Sequence, residues 1–104
     1  MAAIGSVLIE KLNSATIKDS YPLPHPVAAL DSLSGACWFS TMDLSSGYWQ
    51  VELEPQDKEK TAFSTGSALY QFKVMPMGLT NAPPTFQRLM ELVLHGLHWK
   101  ECLI

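Results

Sequence analysis

The chain has 104 residues, of which 47% are hydrophobic, and a formal net charge of −3 from seven Lys plus Arg against ten Asp plus Glu. That length suits one small domain able to bury roughly two-thirds of its unfolded surface. The acidic balance has the wrong sign for a free-standing nucleic-acid binder that works by neutralising phosphates, so any such contact needs cations from neighbouring protein.

The opening MAAIGSVLIEKL is an apolar run with no basic residue before it and no small-residue cleavage site. Neither a secretory signal nor a membrane span is expected, and the chain reads as soluble and intracellular, cytoplasmic or nuclear rather than secreted. The Pro-rich YPLPHP, Tyr21 to Pro26, must be extended, because each residue before a proline is pushed out of the helical region. Val27, Leu30 and Leu33 then recur at helical spacing with Gly35 as a stop, which predicts a helix of about two turns with Asp31 facing water.

ACWFSTMD is rich in β-formers and predicts a short strand ending at Asp43. KTAFST and ALYQFKVM, split by Gly66 and Ser67, predict a β-hairpin, giving a sheet of at least three strands. MPMGLTNAPP is a loop that places Asn81 to cap a helix tolerating Pro83 and Pro84 only in its first turn. Phe86, Leu89, Met90, Val93, Leu94 and Leu97 form its apolar stripe, Gly96 and the following HWK end it, and WKECLI heads toward another strand. The order predicts an α+β fold, an antiparallel sheet with helices packed on one side.

Asp43, at a strand end where open sheets meet ligands, could offer a hard oxygen to Mg²⁺. Equally, it could cap a following helix, and from the residues alone the cap is the commoner use. Two-metal phosphoryl transfer needs at least one more carboxylate nearby, and the local motif supplies none. Tyr48 reads first as a core aromatic, and Gly47 and Gly78 as turn glycines or sites of close ligand approach. Asp57, Lys58, Glu59 and Lys60 alternate in sign as a solvated turn does. Arg88, Glu91 and His95 share the polar face of the last helix, where Glu91 and His95 have ligand spacing but no third partner. Cys37 and Cys102 lack metal-ligand spacing and are expected as buried free thiols in a reducing compartment.

Longer words in the sequence go further. KLNSATIKDSYPLPHP, LDSLSGACWFSTMDLSSGYWQVEL, KTAFST, LYQFKVMPMGLTNAPPTFQRLM and LHGLHWKECLI, in this order and spacing, resemble the reverse transcriptase of gypsy-like LTR retrotransposons. The resemblance runs from about Lys11 to Ile104. It implies a partial fingers-to-palm domain over residues 11–104, incomplete at both ends. Asp43 matches the first catalytic aspartate of the palm, a Mg²⁺ ligand, and the Leu44 carbonyl a second metal ligand. Ser46, Gly47 and Tyr48 match the deoxynucleotide pocket, with Tyr48 under the sugar where it excludes a ribose 2′-hydroxyl. Met77 and Gly78 match the segment packed against the incoming nucleotide and the template base. YPLPHP matches the connector from fingers to palm.

The departures from that pattern set further expectations. The family's YxDD turn, whose two aspartates complete the metal site, lies past Ile104, and the thumb, connection and RNase H regions are missing, so an RNase H activity belongs to a parent polyprotein. Residues 1–10 replace the basic part of the fingers that grips the triphosphate, with Glu10 where a basic residue is usual, and TGSALY departs from the usual Pro-Phe-Gly turn. The parent enzyme would use Mg²⁺, a template-primer of RNA or DNA and deoxynucleotides. This chain is expected to bind Mg²⁺ unstably, to bind nucleic acid weakly or not at all, to avoid membranes, to self-associate through uncovered palm surface and to be inactive alone. The alternative is a co-opted, non-enzymatic interaction module or a decayed remnant.

Overall fold

YPLPHP leads extended from one helix to the next, as its prolines require, and five further α-helical, 3-10 and strand segments follow it. The computed structural model describes residues 2–104, with side chains from Val7 onward. In chain order these are helix α1 (Ala2–Ala15), helix α2 (Pro26–Ser32), a 3-10 helix at Gly47–Gln50, another at Pro55–Thr61, strands β1 (Phe63–Ser64) and β2 (Leu69–Tyr70), and helix α3 (Ala82–Val93). The fold is a small α+β arrangement with an antiparallel two-stranded sheet.

The predicted hairpin forms where Gly66 and Ser67 separate its arms, with Phe63 opposite Tyr70 and Ser64 opposite Leu69. Gly66 adopts φ +86°, a conformation glycine enters without a Cβ penalty. The stacked rings of Phe63 and Tyr70, 5.7 Å between centroids, and Phe72 beside Phe63 pack across the turn. Beyond the hairpin the chain pairs again: the Met75 N–H donates to the Val51 carbonyl at 2.8 Å and the Leu53 N–H to the Lys73 carbonyl at 3.1 Å. Thr61 is buried and joins the two regions, its hydroxyl donating to the Lys58 carbonyl and accepting from the Phe72 N–H.

Three expectations are corrected. The segment 36–43 is irregular and exposed rather than a strand, because among the described residues no other segment offers it a ladder partner, and β-propensity without pairing leaves the backbone to water. The sheet accordingly has two strands rather than three or more. WKECLI forms turns with an isolated bridge between His98 and Cys102 rather than a strand. Conversely, Ala2–Ala15 forms a 14-residue helix where the apolar run was not read as helical. Of the two thiols, Cys37 is exposed and Cys102 only half-buried.

Packing is thin. Among the described residues Met75 and Ala82 form the buried hydrophobic core, with Pro76 and Pro84 buried as well. The radius of gyration is 17.2 Å and the longest extent 58 Å, whereas a compact chain of this length has a radius of about 13 Å. α1 lies against β1 and the Pro55–Thr61 helix, while α3 packs on Gly47–Gln50, so the helices serve separate regions. The stretch from α2 to Leu44 projects with its large side chains in solvent, Trp38 at 93% and Met42 at 96% exposure.

Candidate active site

Asp43 is exposed at the end of the irregular stretch 36–43. No helix starts on it: the N-cap of the following 3-10 helix is Ser46, so the capping alternative for Asp43 is not what the chain uses. Ser46 takes a left-handed conformation, φ 52°, which costs a non-glycine residue about 1 kcal/mol or more. The turn is tied by the Trp49 N–H to the Ser46 carbonyl at 2.9 Å and by the Gln50 amide to the Ser45 carbonyl at 2.9 Å. It swings the chain from Asp43 and Leu44 directly onto α3.

There Gly47 meets Phe86. A Cβ at position 47 would lie 2.9 Å from Phe86 Cζ, closer than real Cβ contacts come. Tyr48 is half-buried beside the same ring, edge to face, with centroids 5.3 Å apart and planes at 73°. Phe86 therefore bears on both residues at once: its ring edge would have to shift to admit a Cβ at 47, and it packs against the aromatic at 48. α3 begins with Pro83 and Pro84 in its first turn, as predicted, and its stripe places Phe86 inward.

Met77 and Gly78 lie elsewhere, against α1. Gly78 has φ +93° with its Cα hydrogen side 3.4 Å from the Ile9 Cγ2 as measured to an added Cβ. Asn13 donates to the Gly78 carbonyl at 2.8 Å and accepts from the Thr80 N–H at 2.8 Å. An open cavity of about 600 Å³ is lined here by Ile9, Glu10, Asn13, Lys18, Met77 and Gly78 among others, and a second of about 400 Å³ lies between α1, Val51–Glu54 and the start of α3. Asp43, Leu44, Ser46, Gly47 and Tyr48 line neither. The structure thus brings Gly47 and Tyr48 together on Phe86, with Ser46 as the N-cap before them, and Met77 and Gly78 together beside α1, as two groups.

Asp43 and the neighbouring Leu44 carbonyl present oxygens suited to a hard cation, but Mg²⁺ asks for near-octahedral coordination. Among the described residues no three His, Cys, Asp or Glu side chains converge on one point. These residues alone do not fit a held Mg²⁺ ion.

The polar face of α3 meets the connector, while Arg88 itself stays exposed. Arg88 pairs with Asp19 at 2.6 Å and lies 4.4 Å over the Tyr21 ring. Tyr21 donates its hydroxyl to Glu91, which also accepts from Gln87 at 3.0 Å. The Arg88 hydrogen bond holds Asp19 below the ordinary carboxylate range. The Tyr21 hydroxyl, then the Gln87 amide, hold Glu91 low as well, and Glu91 in turn raises Tyr21. Glu91 is thus engaged with the connector rather than with His95. Asn81 occupies the N-cap position but its side chain makes no cap; it accepts from the Asp19 N–H at 3.0 Å and donates to the Ile17 carbonyl at 2.9 Å. Sequence spacing missed this set, and the only signal was the polar residues flanking YPLPHP and the asparagine before the prolines.

The chain is a small α+β arrangement in which the turn carrying Gly47 and Tyr48 packs on a Pro-initiated helix, and comparison with known proteins gives its family. The sequence model of reverse transcriptase (RNA-dependent DNA polymerase) matches residues 1–104, and the chain belongs to that family. Over 94 residues, 90% of the chain, it is 46% identical to the retrovirus-related Pol polyprotein from transposon 297 of Drosophila melanogaster. It is 44% identical, again over 94 residues, to the Pol polyprotein from transposon gypsy of the same fly. With an RNA-directed DNA polymerase homolog of Oenothera berteroana it shares 46% over 84 residues, 81% of the chain and 59% of that protein. The chain spans about a tenth of the length of the Pol polyproteins it matches, 9% in each of the two cases above. It is similar to a fragment of the reverse transcriptase domain of such polyproteins. None of the helices among the described residues is long and apolar enough to cross a membrane.

Proposed function

We propose that the chain supplies one wall of a nucleotidyl-transfer site and does not polymerise by itself. On this reading residues 11–104 are the fingers-to-palm part of the domain. Residues 1–10, inside the matched region, are a divergent segment that replaces part of the fingers. Asp43 is the catalytic carboxylate and metal ligand, assisted by the Leu44 carbonyl. Ser46, Gly47 and Tyr48 form the floor under the deoxynucleotide, and Met77 and Gly78 the segment beside it.

The observation that carries the reading is the seating of Gly47 and Tyr48 on Phe86. A ring that must discriminate a sugar has to be held still, and an edge-to-face partner on a helix does that. Gly47 lets the backbone come close enough for the ring to be held. Among the described residues, by contrast, no three His, Cys, Asp or Glu side chains gather into a metal-holding group, and two-metal transfer depends on several anionic ligands to hold ions and offset developing charge. Template-primer, deoxynucleotides and Mg²⁺ are then partners of the longer enzyme. The test is primer extension by the purified chain with template-primer, Mg²⁺ and deoxynucleotides: no extension is expected, and template-dependent product would overturn the reading.

A second reading is favoured by one observation, the solvent exposure of Trp38, Phe39 and Met42 on one projecting segment. Contiguous apolar surface of this kind marks interaction sites or aggregation. As a co-opted interaction module the chain would elute as one monodisperse species in size exclusion. A decayed remnant would elute as aggregates.

A further inference from the structure

The Met77–Thr80 loop leaves the pairing of Lys73–Met75 with Val51–Leu53 and must reach the start of α3 without a strand to hold it. Met77 stands 67% exposed, and Gly78 is left-handed. What meets the loop is one face of α1. Asn13 presents its amide to the Gly78 carbonyl and the Thr80 N–H, both at 2.8 Å, two residues apart on one side of the chain. A carboxamide carries a donor and an acceptor in one plane, as a peptide unit does, so the side chain takes the place of a neighbouring strand. Ile9, one helical turn earlier on the same face, closes over Gly78 at 3.4 Å from the position of a Cβ. The helix therefore fixes both the hydrogen bonds and the side-chain space of the loop.

We infer that Asn13 is a positioning residue that sets the conformation of the Met77–Gly78 segment from outside the site. The inference deepens the proposed function and rests on its assignment of Met77 and Gly78 to the nucleotide. Asn13 itself touches no reacting group; it acts through the loop. A one-residue slip of the loop would break both bonds at once, which is how a single side chain can define a register.

The experiment is backbone amide exchange by NMR on the ¹⁵N-labelled full chain, with Asn13→Ala and Asn13→Asp. Loss of one net hydrogen bond corresponds to roughly a tenfold change in an opening equilibrium, so Asn13→Ala is expected to speed Thr80 amide exchange on the order of tenfold while hairpin amides at Phe63 and Tyr70 keep their rates. Asn13→Asp retains the oxygen that accepts from Thr80, so Thr80 protection is rescued, while the lost donor to Gly78 moves the Met77 and Gly78 resonances. A merely structural residue would instead change all amides together in both variants. Unchanged Thr80 exchange in Asn13→Ala, or loss spread evenly over the chain in Asn13→Asp, overturns the inference. Titration with a deoxynucleoside triphosphate separates it from the underlying reading. Met77 and Gly78 resonances are expected to move in the unsubstituted chain and less in Asn13→Asp; if they do not move while the exchange pattern holds, the nucleotide assignment of that loop fails and the clamp stands.

Discussion

Phe86 lies so close over Gly47 that any side chain at 47 would strike its ring, the Cβ position falling 2.9 Å from Cζ. The same ring meets Tyr48 edge to face. One helix residue thus governs the two residues assigned to the sugar pocket. Gly47→Ala is expected to cost about 1–3 kcal/mol through overpacking and to turn Phe86 away from Tyr48. Urea unfolding measures the cost, and near-UV circular dichroism reports the altered aromatic pair. Adding Phe86→Leu, which removes the ring edge, should recover part of the loss; no recovery would place the strain elsewhere.

Asn81 ties the start of α3 to the connector through Asp19 and Ile17 rather than capping its own helix. Asn81→Ala removes both bonds at a half-buried seam and leaves the backbone groups there short of partners. The expected loss is about 1–3 kcal/mol, measured as a lower urea midpoint. Asn81→Ser, a good helix cap that cannot span to both groups, should not restore it. Full restoration by serine would mean that the residue works as a cap after all.

The connector also sets the response to pH. Asp19 and Glu91 are both held below the ordinary carboxylate range, by Arg88 and by Tyr21 with Gln87 respectively. A lowered carboxylate contributes stability that is fully present above its unfolded value and is lost as pH falls through its folded one. Tyr21 is raised, so its contribution is present at neutral pH and is lost only as alkaline pH rises through the raised value. These groups are exposed enough to be screened, so added salt should weaken the effect. Arg88→Ala should therefore destabilise at neutral pH, and the gap to the unsubstituted chain should shrink as pH falls below the carboxylate range. Urea midpoints collected across pH test this; a gap independent of pH would exclude the Asp19 pair as its cause.

Elements carried by local pattern were legible in the sequence. The two prolines in the first turn of α3, the Gly35 stop after α2 and the Gly66 turn each depend on residues within a few positions and are observed, whereas the α3 stripe is met only in part: the helix ends at Val93, its buried residues are Ala82, Pro84 and Gln87, and Val93 and Leu97 are exposed. The strand at 36–43 was misread because its aromatic and β-branched residues describe what a strand would bury, while pairing depends on a partner far away in the chain. α1 was passed over because its apolar run was weighed only as a leader or membrane segment; its face becomes meaningful once Leu8, Ile9 and Leu12 are seen half-buried against the Pro55–Thr61 region and the Gly78 loop. At the site, Gly47 and Tyr48 were singled out by motif resemblance, but Phe86, which determines their placement, was read only as a stripe position. The contacts of Arg88 and Glu91 with Asp19 and Tyr21 were not legible, because spacing along one helix does not reveal what an extended connector lays across it.

On the proposed reading Asp43 is one carboxylate of a metal site that only the longer enzyme completes, so this chain alone should attract a divalent ion there weakly. Being exposed, Asp43 can be replaced with little effect on stability, within about 0.5 kcal/mol for a surface substitution of this kind. Titration of the ¹⁵N-labelled chain with Mn²⁺ tests the claim most directly, since paramagnetic broadening marks the bound ion residue by residue. Weak broadening centred on the Asp43 and Leu44 amides, abolished by Asp43→Asn at unchanged stability, is the predicted result. Broadening confined to acidic residues such as Glu52, Glu54 and Asp57, or identical in Asp43→Asn, would contradict it.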